Sequence, residues 1–405
     1  MTSARGTTAG TPGTGAGDRR WVILALGVCA QASACAFVYG APFLVPQLRD
    51  ALGLSLASVG RYVAAPVVGL LLALVAWGAA ADRFGERRVM ATGLLLGSAA
   101  MGAAALAPVG DSTVRLLLLA LGGAMAANTD AASGRLVMGW FPRHERGVAM
   151  GVRQTAQPLG VAVAGFTLPS LAATAGTFAS LALPAALCLV MGVLVAAFAA
   201  DPPRAEHTAA PAAGSPYGTA LLWRVHAASA LLVMPQFAVN AFTVEYLVRE
   251  QDFATAAAGV LVGVVQFVGA AGRIGIGWWS DRVGSRMRPM RQISVATVAV
   301  LAAFAVGDLF APWLAVAALV VGGLVTVAHN GLGYTATAEI AGPAWSGRAL
   351  GVQNTGQNVV SALTPPLLGA AIGTLGYAAG FLLAAVAPVA AAAVAPVRQE
   401  RAPEW

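Results

Sequence analysis

A chain of 405 residues that is 58% hydrophobic and only 10% charged, with a net charge of +7, does not read as a water-soluble domain, since such domains carry roughly 25% charged residues. All 24 basic residues are arginine. Without lysine there is no P-loop for ATP phosphates and no Schiff-base chemistry, so uphill work must draw on an ion gradient or a separate subunit.

A membrane-crossing helix needs about 20 apolar residues for a ~30 Å hydrocarbon core, and that window predicts twelve spans. Residues 1–18, rich in Gly, Thr and Ala, read as a disordered tail. Spans 1 to 6 are expected at 21–46, 56–81, 89–108, 113–140, 149–171 and 178–199, within a first unit of 19–200. The polar break "DPPRAEHTAAPAAGSPYGTA" at 201–220 reads as a linker. Spans 7 to 12 follow at 221–247, 256–279, 292–310, 312–339, 348–373 and 376–396, within a second unit of 221–396, and 397–405 is a short tail.

Arg19 and Arg20 ahead of the first apolar run resemble a secretory leader, but the run continues to Val45, past a leader's short core. An even number of spans places both termini on one side. Loops on that side collect most of the arginines, whereas the other side holds only Arg49, Arg115 and Arg249; this bias puts the termini in the cytoplasm. The arginines form no single patch interleaved with aromatics, so nucleic acid is not an expected partner. Cys29, Cys35 and Cys188 lie in apolar stretches and read as packing residues. The scattered histidines show no metal-ligand spacing, and no cofactor or metal is expected.

Two charged knots interrupt the apolar pattern: "WGAAADRFGERRVM" at 77–90 and "GWWSDRVGSRMR" at 277–288, with Asp82 and Asp281 199 residues apart. "AMGVRQTAQ" at 149–157 aligns with "ALGVQNTGQ" at 349–357 at an offset of 200. Two matched landmarks in the same order indicate an internal duplication. Gly78 and Gly85 permit close helix approach and a tight turn. Asp82 ends span 2 at the membrane surface, where it can meet the positive N-terminus of a helix from the other half.

These knots resemble the signature loop of the major facilitator superfamily, G-x-x-x-D-R-x-G-x-R-R. Gly78, Asp82, Arg83, Gly85, Arg87 and Arg88 match it; Gly277, Asp281, Arg282, Gly284 and Arg286 match the second copy, with Arg288 one place late. The resemblance implies an all-α integral membrane fold of twelve transmembrane helices in two pseudo-symmetric six-helix halves. It also implies that Asp82 docks near span 11 and Asp281 near span 5. Arg83 and Arg87 would complete a charge network closing the cytoplasmic side; alternatively, Arg87 and Arg88 only anchor topology.

In the family, spans 1, 4, 7 and 10 line a central cavity. Near their centres lie Gln31 and Tyr39, Asp130, Gln236 and Asn240, and Asn330 and Tyr334. Polar groups in lipid face a bundle interior or a wet cavity, although Gln and Asn also join helices by hydrogen bonds. Asp130 lies about ten residues, or ~15 Å, from the cytoplasmic end of its span. It is the proton-coupling candidate, and an ion pair with Arg135 or Arg153 is the competing reading. Arg153 and Arg273 map onto Gln353 and Leu74 in the other half, and this unshared pair of guanidiniums points to an anionic solute; snorkelling of Arg273 is the alternative. Glu339 is expected to pair with Arg153 or Arg273 as a gate element.

The span-5 glycine–proline pattern of drug/proton antiporters is missing, as is the span-4 R-x-x-x-G pair. The paired repeat segments look more like carriers of small anions such as cyanate or monocarboxylates. The expected protein is a monomeric, multi-pass secondary transporter of the bacterial plasma membrane. It would move a small organic solute, anionic on this reading, by alternating access with protons. Efflux of drugs or secondary metabolites is the alternative. A membrane enzyme would need a nucleophile, base or metal cluster, and none is found; a transporter-like sensor would usually add a signalling domain.

Overall fold

The computed structural model describes residues 14–44, 48, 56–107, 112–202 and 214–400, and its regular elements are all helical. In the first half these are α1 (Thr14–Val38), α2 (Leu56–Phe84), α3 (Glu86–Leu106), α4 (Ser112–Ala126 and Asn128–Trp140), α5 (Arg146–Arg153 and Ala156–Ala175) and α6 (Ala182–Phe198). The second half contains α7 (Ala220–Arg249), α8 (Thr255–Val283), α9 (Met287–Phe310) and α10 (Pro312–Val325 and Asn330–Ala341). The stretch Ser346–Val394 follows.

A continuous helix of 49 residues would be ~74 Å long, more than twice the hydrocarbon thickness. Gly376, at φ 83° and ψ 170°, breaks it into α11 (346–375) and α12 (377–394). Twelve spans result. Leu72, Phe166 and Phe267 are at least 79% exposed on the outer faces, a surface that hydrocarbon solvates and water does not.

Element ends differ from expectation in detail. α1 begins at Thr14, inside the stretch read as a tail; residues 1–13 lie outside the described residues, as do 203–213 of the linker and 401–405. Three spans are interrupted near their middle. α4 breaks at Ala127 and α10 at 326–329, equivalent positions in the duplication. α5 breaks at Gln154 and Thr155, whereas α11 runs through the matching positions.

Both knots, the described chain ends near Arg20 and Glu400, and the α5 and α11 N-termini lie on one face, here termed the terminal face. Arg20 pairs with Glu145 there at 2.8 Å, and Glu400 reaches the backbone of Met287. The main contacts between halves concentrate on this side: α2 with α11, α8 with Arg146–Arg153, and Asn128–Trp140 with Asn330–Ala341 and α11. Ser112–Ala126, Ala156–Ala175 and Pro312–Val325 pack mainly within their own halves. The molecule is therefore closed on the terminal face and parts on the other.

Glycines set how closely the halves meet. A Cβ on Gly78 would lie 2.2 Å from the Gly347 carbonyl oxygen, and one on Gly347 2.3 Å from that of Gly78. Gly147 and Gly277 repeat the arrangement at 2.3 and 2.1 Å. Such backbone approach is available only to residues without a side chain. Gly277→Val is expected to open the terminal face, seen as a longer spin-label distance between the terminal ends of α5 and α8. Gly272, where a Cβ meets nothing within 4 Å, provides the control substitution; equal distances in both variants would show that the contact sets nothing.

Candidate functional site

Two carboxylates hold the closed face. Asp82, at the end of α2, accepts the N–H groups of Gly347 (2.8 Å) and Arg348 (3.0 Å). These belong to the first turn of α11, where N–H groups have no partner within the helix. Asp281, at the end of α8, accepts Gly147 and Val148 at 2.9 Å each, in the first turn of α5. Each carboxylate thus caps a helix of the opposite half, meeting both its free donors and the positive end of its dipole.

Each aspartate also pairs with an arginine, and here the halves differ. Arg135 on α4 binds Asp82 and, at 2.6 Å, Glu86 of the knot; it also donates to the Pro343 carbonyl at 2.9 Å. In the second half the arginine comes from the knot itself: Arg286 meets Asp281 and, at 3.2 Å, Glu339 on α10, and donates to the Arg143 carbonyl at 2.8 Å. Acid and base have exchanged places between knot and helix. Arg348 lies 3.8 Å from Asp82 and Arg146 3.8 Å from Glu339, so each clasp holds two acids and two arginines.

This corrects three expectations. Arg83 is exposed over the ring of Phe84, and Arg282 lies over Trp278, each at 5.2 Å. Arg87 donates to the Ala196 carbonyl at 3.0 Å, tying α3 to α6 within one half, and Arg88 is exposed. Arg83, Arg87, Arg88 and Arg282 join neither clasp, and in the first Arg135 takes the bridging place. Glu339 pairs with Arg286 and Arg146 instead of Arg153 or Arg273, because α10 carries it to the level of the knots.

Beyond the clasps, between the halves, lies a cavity of about 590 Å³ including its mouth. α1 contributes Gln31, Cys35 and Tyr39, and α4 contributes Asp130. α7 supplies Val233, Gln236 and Phe237, and α10 supplies Asn330 and Tyr334. α5 and α11, not expected to line it, add Gln154, Gln157, Asn354, Gln357, Asn358 and Ser361. Asn240 is not among them. It lies one turn past Gln236 and rotated about 40° from it, and it accepts from Gln266 at 3.1 Å in a separate, mostly apolar cleft of α7, α8 and α10.

Asp130 accepts Gln31 Nε2 at 2.9 Å, and Ser133 donates to Gln31 Oε1 at 3.1 Å. Among the described residues no arginine pairs with the Asp130 carboxylate within 4.0 Å: Arg135 is engaged in the clasp, and Arg153 reaches the Asp130 main-chain carbonyl instead. Asn330 donates to Gln236 at 3.2 Å. The Tyr334 hydroxyl lies between the amide oxygens of Asn354 and Gln357, and Tyr39 reaches Asn358 at 3.4 Å across the halves.

Arg153 and Arg273 form the floor and do not line the cavity. Arg153 is 1% exposed, and each of its nitrogens already donates: to Ser133 at 2.8 Å, to Gln154 Oε1 at 2.6 Å and to the Asp130 carbonyl. It also lies 5.2 Å from the centre of the Tyr334 ring. Arg273 crosses the halves to donate to the Gln154 main-chain carbonyl at 2.6 Å. That carbonyl is free because Pro158, four residues on, has no N–H to offer it; α11 carries Asn358 at the equivalent place. The expectation that both guanidiniums face a solute differs from this arrangement, in which Arg153 bonds within the first half and Arg273 joins the two.

Arg135, Glu86 and the α5 and α11 amides escaped the sequence reading as site residues. Glu86 lies within the quoted knot, and the amides lie in the repeat landmarks: Gln154 pairs with Asn354 and Gln157 with Gln357 at the offset of 200. Asp201 and Glu400 are 199 residues apart, the spacing of the knots, and cap equivalent helices. Asp201 accepts the Arg87 N–H at 2.8 Å and Glu400 that of Met287 at 3.2 Å.

Arg135→Met strands Asp82 and Glu86 without their shared counter-charge, a loss of about 3–5 kcal/mol for a buried pair. Its melting temperature in detergent should fall, and adding Glu86→Gln should recover part of the loss. Pro158→Ala restores the missing N–H, so the Gln154 carbonyl returns to its own helix. Faster hydrogen exchange at the terminal ends of α5 and α8 is expected; unchanged exchange would show that the Arg273 contact adds nothing to closure.

The profile of the Major Facilitator Superfamily matches residues 27–365. An uncharacterized MFS-type transporter of Mycobacterium tuberculosis is 44% identical over 393 residues, covering 95% of this chain and 86% of that one. A probable anion transporter of Arabidopsis thaliana is 30% identical over 175 residues, 43% of this chain and 39% of its own. Among solved structures, the E. coli fucose:proton symporter superposes with a TM-score of 0.71 at 15% identity, covering 94% of this chain and 100% of that one. The profile match and the full-length relative agree with the twelve-span fold and its duplicated clasps: this chain belongs to the Major Facilitator Superfamily of multi-pass membrane transporters.

Proposed function

We propose that this chain is a proton-coupled secondary transporter that moves a small organic solute across a bacterial plasma membrane by alternating access. It acts as a single chain with Asp130 as the proton site. The observation that carries this reading is the setting of Asp130, a carboxylate on the cavity wall, held by Gln31 and, among the described residues, without an arginine partner within 4.0 Å. An ionised carboxylate deep in a membrane protein costs a few kcal/mol, and a proton removes the charge. A group that faces one solution and then the other can load on one side and unload on the opposite side.

The arginine bias supports placing the terminal face in the cytoplasm. On that reading the closed face is the inner one, and the cavity described here is open outward. Both clasps span the halves, so both must break for the cavity to open inward, a rocking motion of one half against the other. The fold shared with a fucose:proton symporter is consistent with proton coupling.

In proteoliposomes, accumulation should depend on a transmembrane pH gradient, with the sign of that dependence giving symport or antiport. Asp130→Asn should abolish gradient-driven accumulation and keep solute exchange at zero gradient. Undiminished accumulation in the variant would remove Asp130 from coupling.

A further inference from the structure

The chemistry of the cavity wall restricts what it can hold. Eight of its fifteen lining residues are carboxamides, three more are hydroxyl-bearing, and Asp130 is the one carboxylate. Among the described residues no arginine or histidine lines it. Arg153 lies behind Asp130, bound to the main-chain carbonyl of that residue. Apart from Asp130 the wall is therefore neutral and dense in both donors and acceptors.

Part of that capacity is unused. Gln357 is 7% exposed; one atom of its amide meets the Tyr334 hydroxyl at 2.8 Å, and the other is buried with no hydrogen-bond partner. A buried polar atom left unpaired costs about 1–3 kcal/mol, which a suitable ligand atom recovers. Asn330 spends its amino group on Gln236, leaving its oxygen as an acceptor. A ligand carboxylate offers acceptors only: amide N–H groups can meet it, but it leaves the amide oxygens unmet and is repelled by an ionised Asp130. An ammonium offers donors only and would leave the amide N–H groups unmet. A hydroxyl both donates and accepts.

Resting on the transporter reading above, we infer that the central cavity takes an uncharged, hydroxyl-rich solute of the sugar or polyol class, with the Gln357 amide as one of its hydrogen-bond partners. This class differs from the anionic solute that Arg153 and Arg273 suggested; neither guanidinium lines the cavity.

The test uses the full chain in detergent and a panel built on one ring in three charge states: glucose, glucuronate and glucosamine. Further neutral hexoses, pentoses, cyclitols and sugar alcohols extend it. Thermal shift and equilibrium dialysis are the readouts. A neutral member is expected to stabilise saturably, with its uronate and amine counterparts binding at least about tenfold more weakly. Sites built around hydroxyl groups discriminate strongly against analogues that leave polar groups unpaired. Gln357→Leu should weaken the neutral ligand about tenfold with no change in unliganded melting; should it not fold, Gln157→Ala, on the exposed part of the wall, takes its place. Tighter binding of the uronate or the amine, or no binding by any neutral member, overturns the inference. Because binding is read without a membrane, a neutral ligand that fails to move with protons would remove the coupling reading and leave the solute class standing.

Discussion

A carboxylate at the end of one transmembrane helix accepts two N–H groups from the first turn of a helix in the other half, and the molecule contains this contact twice. Each charge-assisted hydrogen bond contributes on the order of 1.5–3 kcal/mol, and the helix dipole adds up to about 2 kcal/mol when partly buried. The contact forms only while the halves meet on the terminal face. On the alternating-access reading proposed above, its strength would favour the conformation closed on the terminal face. Glycines on both sides of each seam let the backbones approach closely enough for the carboxylates to reach.

Around these two contacts the duplicated halves have diverged without losing charge balance. One clasp draws its arginine from α4 and its glutamate from the knot; the other draws its arginine from the knot and its glutamate from α10. What is kept is the sum of charges beside each aspartate, because a buried charge without a partner is costly wherever it originates. The signature arginines on the exposed side of the first knot bind α6 or lie over Phe84, and so stiffen one half instead of joining two.

In the cavity the duplication leaves amides at matching positions of α5 and α11, and divergence supplies the chemistry. Asp130 stands where the other half has Asn330, Arg153 where it has Gln353, and Pro158 where it has Asn358. The first pairing gives one half a titratable group. The third breaks one helix and frees the carbonyl that Arg273 binds. A symmetric frame with these exchanges has one chemically distinct wall and a floor in which Arg273 joins the two halves.

The sequence by itself determined the class of protein, the twelve spans, the duplication and the pair of knots, because hydropathy over 20 residues and a repeat at a nearly constant offset are local and linear signals. Polar groups in apolar spans, joined to the family resemblance that assigns spans 1, 4, 7 and 10 to a cavity, also pointed to Gln31, Tyr39, Asp130, Gln236, Asn330 and Tyr334, which line it, and to Asn240, which does not. Only the tertiary structure decided which arginine meets which acid. Arg135 and Asp82 are 53 residues apart, Arg273 and Gln154 119, and Asn240 and Gln266 26, and no periodicity links them. Long side chains reach whatever partner the packing of several helices brings near, and Asn240, one turn along α7 from Gln236, meets Gln266 of α8 in a separate cleft.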